Sequence, residues 1–293
     1  MKKSMSAACV MLAAILWGCI GIFYKQLSAI GFTQAQVVFL RVATAAVMMA
    51  GYIAVKQPSW FRIRPRDIWM FIGTGVVSLA FFNFCYFNAM DETSVPVAAT
   101  LLYTAPMFVM LLSAVLFHEK LTPLKCFCVA LTFAGCVLVT GVLQGHGLTL
   151  RGLLYGLGAG IGYALYTIFS VYALRRYATE TVTFYTFVFA CVSILPLCGV
   201  NVLVQTAVNA VLPTVFYSLG IGFLACFLPY WLYTKGLEGV PPSQASVMAT
   251  LEPVVACVVG VVFLQEDFTM SAMCGVALIL LSIVLLNAQK EKP

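Results

Sequence analysis

Charged side chains are scarce in this sequence of 293 residues. Asp, Glu, Lys and Arg make up 9% of it, whereas they make up about 25% of an ordinary soluble domain. Hydrophobic residues account for 62%, and a single globule of this size cannot hide so much apolar surface from water. The composition excludes a disordered chain, a collagen and a small disulfide scaffold, and it argues strongly against a soluble enzyme. A polytopic membrane protein with almost no soluble part is the class that remains.

Residues that usually carry catalysis or bind metals are also few. The only histidines are His118 and His146, and the sequence has no HExxH, phosphate loop or GxSxG. Most cysteines lie in apolar stretches, where Cys behaves as a small hydrophobe. The closely spaced Cys126 and Cys128 have no second pair with which to complete a metal site. We therefore predict that the chain is not an enzyme and has no catalytic residue, metal site or cofactor.

Long apolar segments dominate what the sequence does contain. A helix that spans a membrane needs about 20 mostly apolar residues. Ten segments meet this requirement, at about 5–25, 33–55, 68–89, 95–117, 124–143, 151–174, 181–200, 212–234, 242–264 and 269–287. They are uninterrupted, unlike the alternating strands of a membrane barrel. The predicted fold is an all-α integral membrane protein with ten transmembrane helices.

The basic residues are distributed unevenly between the loops. With the N-terminus inside, the cytoplasmic pieces carry Lys2, Lys3, Lys56, Arg62, Arg64, Arg66, Lys120, Lys125, Arg175, Arg176, Lys235, Lys290 and Lys292. The outside pieces carry Lys25 and Arg151. Cytoplasmic loops are enriched in Lys and Arg, so both termini are predicted to be cytoplasmic. The same loops explain the net charge of +6 without a nucleic-acid partner.

An internal repeat appears when the chain is shifted by 147 residues. The shift aligns Tyr86 with Tyr233, Ala98 with Ala245, Pro106 with Pro253, Glu119 with Glu266 and Thr122 with Thr269. The repeating unit has five helices, an odd number, so its two copies cross the membrane in opposite directions. We predict repeats at 1–146 and 147–293 within one integrated membrane domain. An inverted repeat permits two conformations, each open to one side, with a binding site at the repeat interface near the midplane.

Two charged residues lie at membrane depth, Arg41 in segment 2 and Glu252 at the centre of segment 9. A charge at the centre of a helix costs about 2.5–3.5 kcal/mol on insertion scales, so each should face a partner or a wet cavity. In one interpretation Arg41 binds an anionic or zwitterionic solute, while Glu252 binds an amine or accepts a proton. In the other, both belong to a structural ion pair or to a network that caps backbone carbonyls.

Aromatic and amide side chains form a third set of candidates. We predict that they line an amphipathic cavity with Arg41 and Glu252, and the set comprises Trp17, Asn83, Tyr86, Tyr103, Tyr163, Tyr166 and Tyr230, with Tyr24 and Tyr233 as further members. The alternative for tyrosine and tryptophan is anchoring at the membrane interface.

In segment 6, Gly152, Gly156 and Gly160 are spaced by four. That ridge indicates close packing inside the bundle rather than dimerisation, and a monomer or weak dimer is expected.

Two prolines occupy the middle of symmetry-related segments. Pro106 and Pro253 each remove an N–H and free a carbonyl one turn earlier, on Leu102 and Ala249. The two kinks either gate the transport path or are fixed.

Near the ends of the same segments, Glu119 and Glu266 are predicted to cap the following helix. The threonines that follow them, Thr122 and Thr269, are the predicted N-caps.

Several of these marks together resemble the drug/metabolite transporter superfamily, specifically its EamA-type members. They are Trp17-Gly18 with Lys25, Arg41, the run Tyr103-Thr104-Ala105-Pro106 leading to Glu119, and the run Leu251-Glu252-Pro253-Val254 leading to Glu266. The resemblance covers essentially the whole chain and implies ten helices in two inverted halves. It also implies export of amino acids and other small metabolites. The Glu-Pro pair recurs in that family, which favours a shared structural or gating role for Glu252. Ala105 stands where the first half would carry a matching carboxylate.

The function predicted from these features is secondary transport. The chain would export small metabolites by alternating access, with amino acids or related amphipathic solutes as the leading class. It would lie in the cytoplasmic (inner) membrane of a bacterium, surrounded by lipid, and proton coupling stays open. The alternatives are an integral-membrane enzyme, a receptor that binds without transport, and a channel.

Overall fold

The computed structural model describes residues 3–142, 149–264 and 269–288. Within these ranges the chain forms ten apolar helices, which we label α1 to α10. They are 3–30, Gln34–Lys56, Pro65–Glu92, Val95–Phe117, Pro123–Thr140, Leu150–Leu174, Thr179–Leu197, Val211–Gly236, 242–264 and Met270–Ala288. The first nine are long and apolar enough to cross a membrane, and the apolar part of the last is shorter, Met270–Leu286. The predicted all-helical membrane fold with ten spans is confirmed.

Threonine and serine side chains begin several of these helices. Thr33 and Gln36 form a capping box at the start of α2. Ser94 caps α4, and Thr149 caps α6. Thr122 accepts a hydrogen bond from the Lys125 N–H, and Thr269 accepts one from the Ala272 N–H. Both predicted threonine caps are therefore confirmed, and they satisfy amide groups that have no partner within their helices.

The connection after α7 differs from the predicted loop. Segment 7 was predicted to run to residue 200, but α7 ends in a 3₁₀ turn at Leu195–Leu197, and a separate helix follows at Val200–Asn209. Pro196 lies in that turn, and Gly199 adopts a left-handed conformation with φ of 55°. Glycine reaches this conformation without a Cβ penalty, so the chain can turn before the second helix begins.

Both repeats carry helix irregularities at matching places. Helix α4 consists of α4a (Val95–Leu102) and α4b (Ala105–Phe117), while α9 consists of α9a (Pro242–Ala249) and α9b (Leu251–Leu264). Helix α3 contains a π-helical stretch at Gly73–Ala80, and α8 contains one at Phe223–Phe227. The 147-residue shift places Phe227 on Ala80, so the repeats share their departures from regular helix. Helix α1 is also divided, into α1a (Lys3–Gly18) and α1b (Ile20–Ile30).

The two repeats interlock instead of packing as separate units. Helix α1 packs against α8 and α9 of the second repeat, and α6 packs against α3 and α4 of the first. The remaining major contacts between repeats join α2 with α7 and α8, α3 with α7, and α5 with α10. The largest buried apolar cluster accordingly draws on both halves of the chain. A relative motion of the repeats must therefore occur across these paired interfaces.

Glycine permits close approach at two of these interfaces. A Cβ atom on Gly160 would collide with the Thr104 side chain and crowd the carbonyl of Leu101. One on Gly18 would collide with Val255 and with the carbonyl oxygen of Glu252. Each glycine thus packs against the break in a helix of the other repeat. The predicted packing of the glycine ridge inside the bundle is confirmed at Gly160.

The ends of the bundle differ in charge. We call one the basic end, because it carries the connections Gln57–Arg64 and Arg175–Ala178, and the other the opposite end. At the basic end, Asp67 is paired with Arg176 and accepts a hydrogen bond from the Tyr177 hydroxyl at 2.6 Å. Polar contacts at this end therefore tie α3 to the connection between α6 and α7.

Replacing Gly160 with alanine should lower the thermal stability of the protein. Overpacking a close contact costs about 1–3 kcal/mol, and here the added methyl group meets backbone as well as side-chain atoms. A thiol-reactive dye that reports the exposure of buried cysteines on heating would measure the shift. Gly51→Ala is the control, because a Cβ there meets nothing within 4 Å. Equal unfolding temperatures for the two variants would contradict the close contact.

Candidate functional site

Glu252 lies in the first turn of α9b, directly after the break in α9. Its carboxylate Oε2 accepts a hydrogen bond from the Tyr163 hydroxyl at 3.3 Å, across the interface between α6 and α9. The carboxylate is also placed where the dipole of α9b favours negative charge. Glu252 is partly exposed although it lies deep within its span. It therefore meets a cavity between the repeats.

Toward the basic end from Glu252, an aromatic cluster fills the space between α1, α6 and α8. Trp17 lies 5.2 Å from Tyr230 and 5.4 Å from Tyr233, measured between ring centroids, and Tyr166 lies 5.0 Å from Tyr230. All four rings are buried. A cavity of about 10 Å³ remains among them, which is space for roughly one water molecule.

The hydroxyls of this cluster are satisfied by neighbouring threonines. Tyr166 shares a hydrogen bond of 2.6 Å with Thr234, and Tyr233 shares one of 2.8 Å with Thr167. Each bond joins α6 to α8. The cluster is packed and hydrogen-bonded, so it closes the path from Glu252 to the basic end.

Toward the opposite end, tyrosines line an accessible space. Tyr24, Tyr86, Tyr103 and Tyr163 are partly exposed, like Glu252. Tyr86 and Tyr103 are close enough to Glu252 to interact with it electrostatically. Phe82 continues this wall, because its ring lies 5.9 Å from Tyr86 and 5.7 Å from Tyr163. The wall offers π faces and hydroxyls around one carboxylate.

Contacts between half-helices differ between the two sides of Glu252. Helices α4b and α9a pack against each other near the basic end. Their counterparts near the opposite end, α4a and α9b, form no comparable contact within the described part of the chain. Helix α1b packs on α2, α8 and α9b, and it forms no comparable contact with α3, α4 or α6 among the described residues. The helices around Glu252 are therefore packed more closely toward the basic end than toward the opposite end.

Arg41 is buried in α2, with an exposed fraction of 8%. Its Nε atom has no hydrogen-bond partner in the described part of the chain. Arg41 also forms no salt bridge with a carboxylate of the described residues. Arg41 still interacts electrostatically with Glu252 and Tyr230. An unpaired cation at this depth is costly, and it is suited to bind an anionic group.

Asn83 is placed away from the carboxylate. Its side-chain amide donates to the Leu79 carbonyl at 2.7 Å, one turn earlier in α3. It lines a separate crevice of about 200 Å³ with residues of α2, α3 and α7, among them Phe84, Ile194 and Leu197. The structure therefore brings together Trp17, Tyr86, Tyr103, Tyr163, Tyr166, Tyr230 and Glu252, places Arg41 beside them, and separates Asn83.

The two predicted kink prolines follow complete breaks. Pro106 lies in the first turn of α4b, and Pro253 lies in the first turn of α9b. Proline is tolerated in a first turn because its missing N–H would have had no helical partner there. Just before them, the hydroxyls of Thr104 and Thr250 donate to the carbonyls of Leu101 and Val247, each at 2.6 Å. The breaks are thus stabilised by matching local bonds.

Several residues of the site were not among the predicted binding residues. Phe82, Thr167 and Thr234 belong to the tyrosine wall or to the aromatic cluster. Helical spacing could have found Thr234, since it follows Tyr230 by four residues. Glu266 and His146 lie outside the described residues. No group of three or more His, Cys, Asp or Glu suited to a metal ion occurs in the described ranges.

Comparison with known proteins identifies relatives over nearly the whole chain. A protein of Archaeoglobus fulgidus named "Uncharacterized transporter" is 28% identical over 95% of this chain and 94% of its own. The "Uncharacterized transporter YwfM" of Bacillus subtilis is 26% identical over 100% and 97%. A "Probable amino-acid metabolite efflux pump" of Salmonella typhimurium is 24% identical over 80% and 83%. These relatives are named as transporters, not as enzymes.

A solved crystal structure has a similar fold. It superimposes with a TM-score of 0.76 over 96% of each chain, at 18% sequence identity. The sequence profile of the EamA-like transporter family matches twice, at residues 4–141 and 150–288. Each match contains five of the ten helices, in agreement with the duplicated architecture. The chain therefore belongs to the EamA-like transporter family and is a multi-pass membrane transporter.

Proposed function

We propose that the protein is a secondary transporter that exports small amphipathic metabolites, with amino acids or related solutes as the leading class. The observation that carries this proposal is the placement of Glu252. It lies at a helix break between the repeats, bonded to Tyr163 and facing a cavity that is closed on one side. The name of the Salmonella typhimurium relative supports the amino-acid class.

The transport cycle would be alternating access. In the described state the tyrosine wall is accessible and the aromatic cluster is closed. The repeats are inverted, so rocking one against the other exchanges the open and closed ends while the binding site stays near the midplane. The prolines after the two breaks, Pro106 and Pro253, would limit where each helix bends and so act as gating elements.

The membrane orientation follows from the charge of the ends. We propose that the basic end is cytoplasmic, because short cytoplasmic loops concentrate Lys and Arg. Both termini would then be cytoplasmic, and the described state would be open to the outside. For a bacterial protein this corresponds to the inner membrane and to release of the exported solute from the open cavity.

The binding residues would each recognise a different chemical group of the solute. Glu252 would bind an amine or take up a proton, and Arg41 would bind a carboxylate. The aromatic side chains would pack against the apolar part of the solute and attract a cation with their ring faces. This group comprises Trp17, Tyr86, Tyr103, Tyr163, Tyr166 and Tyr230. Asn83, which faces the separate crevice, would join the path only through movement of α3.

A flux screen in proteoliposomes tests the function. Purified protein is reconstituted with a panel of amino acids, amines and sugars, with and without a proton gradient. We expect saturable flux and counter-transport for a subset that carries both an amine and an apolar group. Linear flux without counter-transport would indicate a channel. Chemical conversion of a panel compound without flux would indicate an enzyme, and binding alone would indicate a receptor.

Glu252→Gln should reduce transport by about tenfold or more, because the amine of the solute loses a hydrogen bond to a charged acceptor. The amide can still accept from Tyr163, so membrane insertion and thermal stability should stay near wild type. Flux is measured in liposomes over the neutral pH range. Glu238→Gln is the matched control, because Glu238 is paired with Lys235 at the basic end, outside the cavity. Unchanged flux at every pH would remove Glu252 from the site.

Arg41→Gln should discriminate between substrates by charge. We expect a loss of about tenfold or more for solutes with a carboxylate, and a much smaller loss for the matching decarboxylated amines. Paired flux measurements with each amino acid and its amine provide the comparison. Arg62→Gln serves as the control, since Arg62 is exposed in the connection after α2. An equal loss for both members of each pair would indicate a structural role for Arg41.

A further inference from the structure

Glu119 bonds across the interface between the repeats. It follows the end of α4b, and its Oε1 atom accepts a hydrogen bond from the Ser243 hydroxyl. Its Oε2 atom accepts from the Ser243 N–H at 3.4 Å. Ser243 belongs to α9a of the second repeat. Both oxygens of one carboxylate are thus engaged by a single residue of the opposite half.

The second residue that holds Glu119 comes from its own repeat. Lys125, in the first turn of α5, donates to Glu119 Oε1 at 2.8 Å. The side chains of both partners are largely shielded, with exposed fractions of 8% for Lys125 and 13% for Glu119. Shielding from water weakens the screening that makes surface ion pairs ineffective. Lys125 therefore fixes the carboxylate where it reaches Ser243.

The contact with Glu119 provides the N-terminal cap that α9a lacks in its own sequence. Pro241 precedes α9a and provides no side-chain hydrogen bond to its first turn. The N–H groups of a first turn have no helical partner and attract negative charge. Glu119 provides both the acceptor and the charge, but from the other repeat. When the repeats separate at this end, α9a loses its cap.

We propose that Glu119 is a gating residue, and that its bond to Ser243 is a latch that must open before the cavity can open at the basic end. The proposal rests on the alternating access described above. It follows from position, because the latch joins α4b to α9a, the half-helices whose contact closes this end. No substrate need touch Glu119 for it to control the cycle.

The latch is also linked to the binding site by a single short helix. Ser243 lies in the first turn of α9a, and Glu252 follows the break at Thr250. They are nine positions apart in the sequence, which is roughly 13 Å at the rise of an α-helix. A change at Glu252 that shifts the break would move α9a as a rigid piece and strain the bond to Glu119. Occupancy of the cavity and closure of the basic end are thereby coupled.

Hydrogen–deuterium exchange on the full-length protein tests the latch without knowledge of the substrate. We compare wild type with Glu119→Gln and Ser243→Ala in the same detergent. Ser243→Ala removes the hydroxyl bond between the repeats, keeps the backbone N–H contact to Glu119, and leaves the Glu119–Lys125 pair intact. Glu238→Gln is the control, because it disrupts the Lys235 pair and the bond from Thr179, which are contacts within the second repeat.

Both latch variants should shift exchange in opposite directions at the two ends. Exchange should rise in α4b and α9a and fall in α4a and α9b, as the population moves toward a state closed at the opposite end. The ratio of the two states should change by about tenfold, the scale of one hydrogen bond to a charged group. Glu238→Gln should leave both ends unchanged.

A rise confined to the first turn of α9a, without added protection in α4a and α9b, would overturn the proposal and leave Glu119 as a simple cap. The flux screen separates this result from the function itself. Transport by wild type with no reciprocal exchange in the variants rejects the latch alone. Reciprocal exchange without flux of any solute supports the latch and rejects the proposed transport class.

Discussion

The structure depends on one constraint, which is that backbone polar groups within the membrane have no water to bind. Helices satisfy this requirement along most of each span, and a break is tolerated only inside the protein or beside a cavity. The breaks of α4 and α9 obey the rule. Gly160 packs against one and Gly18 against the other, while Thr104 and Thr250 bond to carbonyls next to the breaks. The carboxylate of Glu252 and the cavity beside it lie at the break in α9.

The two repeats share the same helix breaks, yet the two ends of the bundle differ. The repeats share their breaks and their π-helical stretches, so each half alone could form either a closed or an open end. In the described state they differ, because α4b meets α9a while α4a and α9b make no comparable contact among the described residues. The shared breaks alone do not produce this difference. Contacts between the helices distinguish the two ends, such as the bond from Ser243 to Glu119 and the packing around Trp17.

Much of the fold could be predicted because its signals are local. Apolar segments of sufficient length identified the spans, and spacing in the chain revealed the repeat. The candidate site was predictable in part, since Glu252 had to face a cavity and Tyr163 was on a helix that could reach it. Asn83 shows the limit. Asn83 is only three residues before Tyr86 on α3, which places the two side chains about 60° apart around the helix axis. Asn83 therefore lines another crevice.

The sequence by itself determined the ten spans, the inverted repeat and the scarcity of charge at depth, because each follows from composition and spacing along one chain. Only the tertiary structure decided which charges meet. It placed Glu252 beside Tyr163, left Arg41 without an ion pair among the described residues, and brought Glu119 to Ser243. These contacts join residues that are tens of positions or more apart, and they depend on how the two halves interlock. No periodicity within a single helix contains that information.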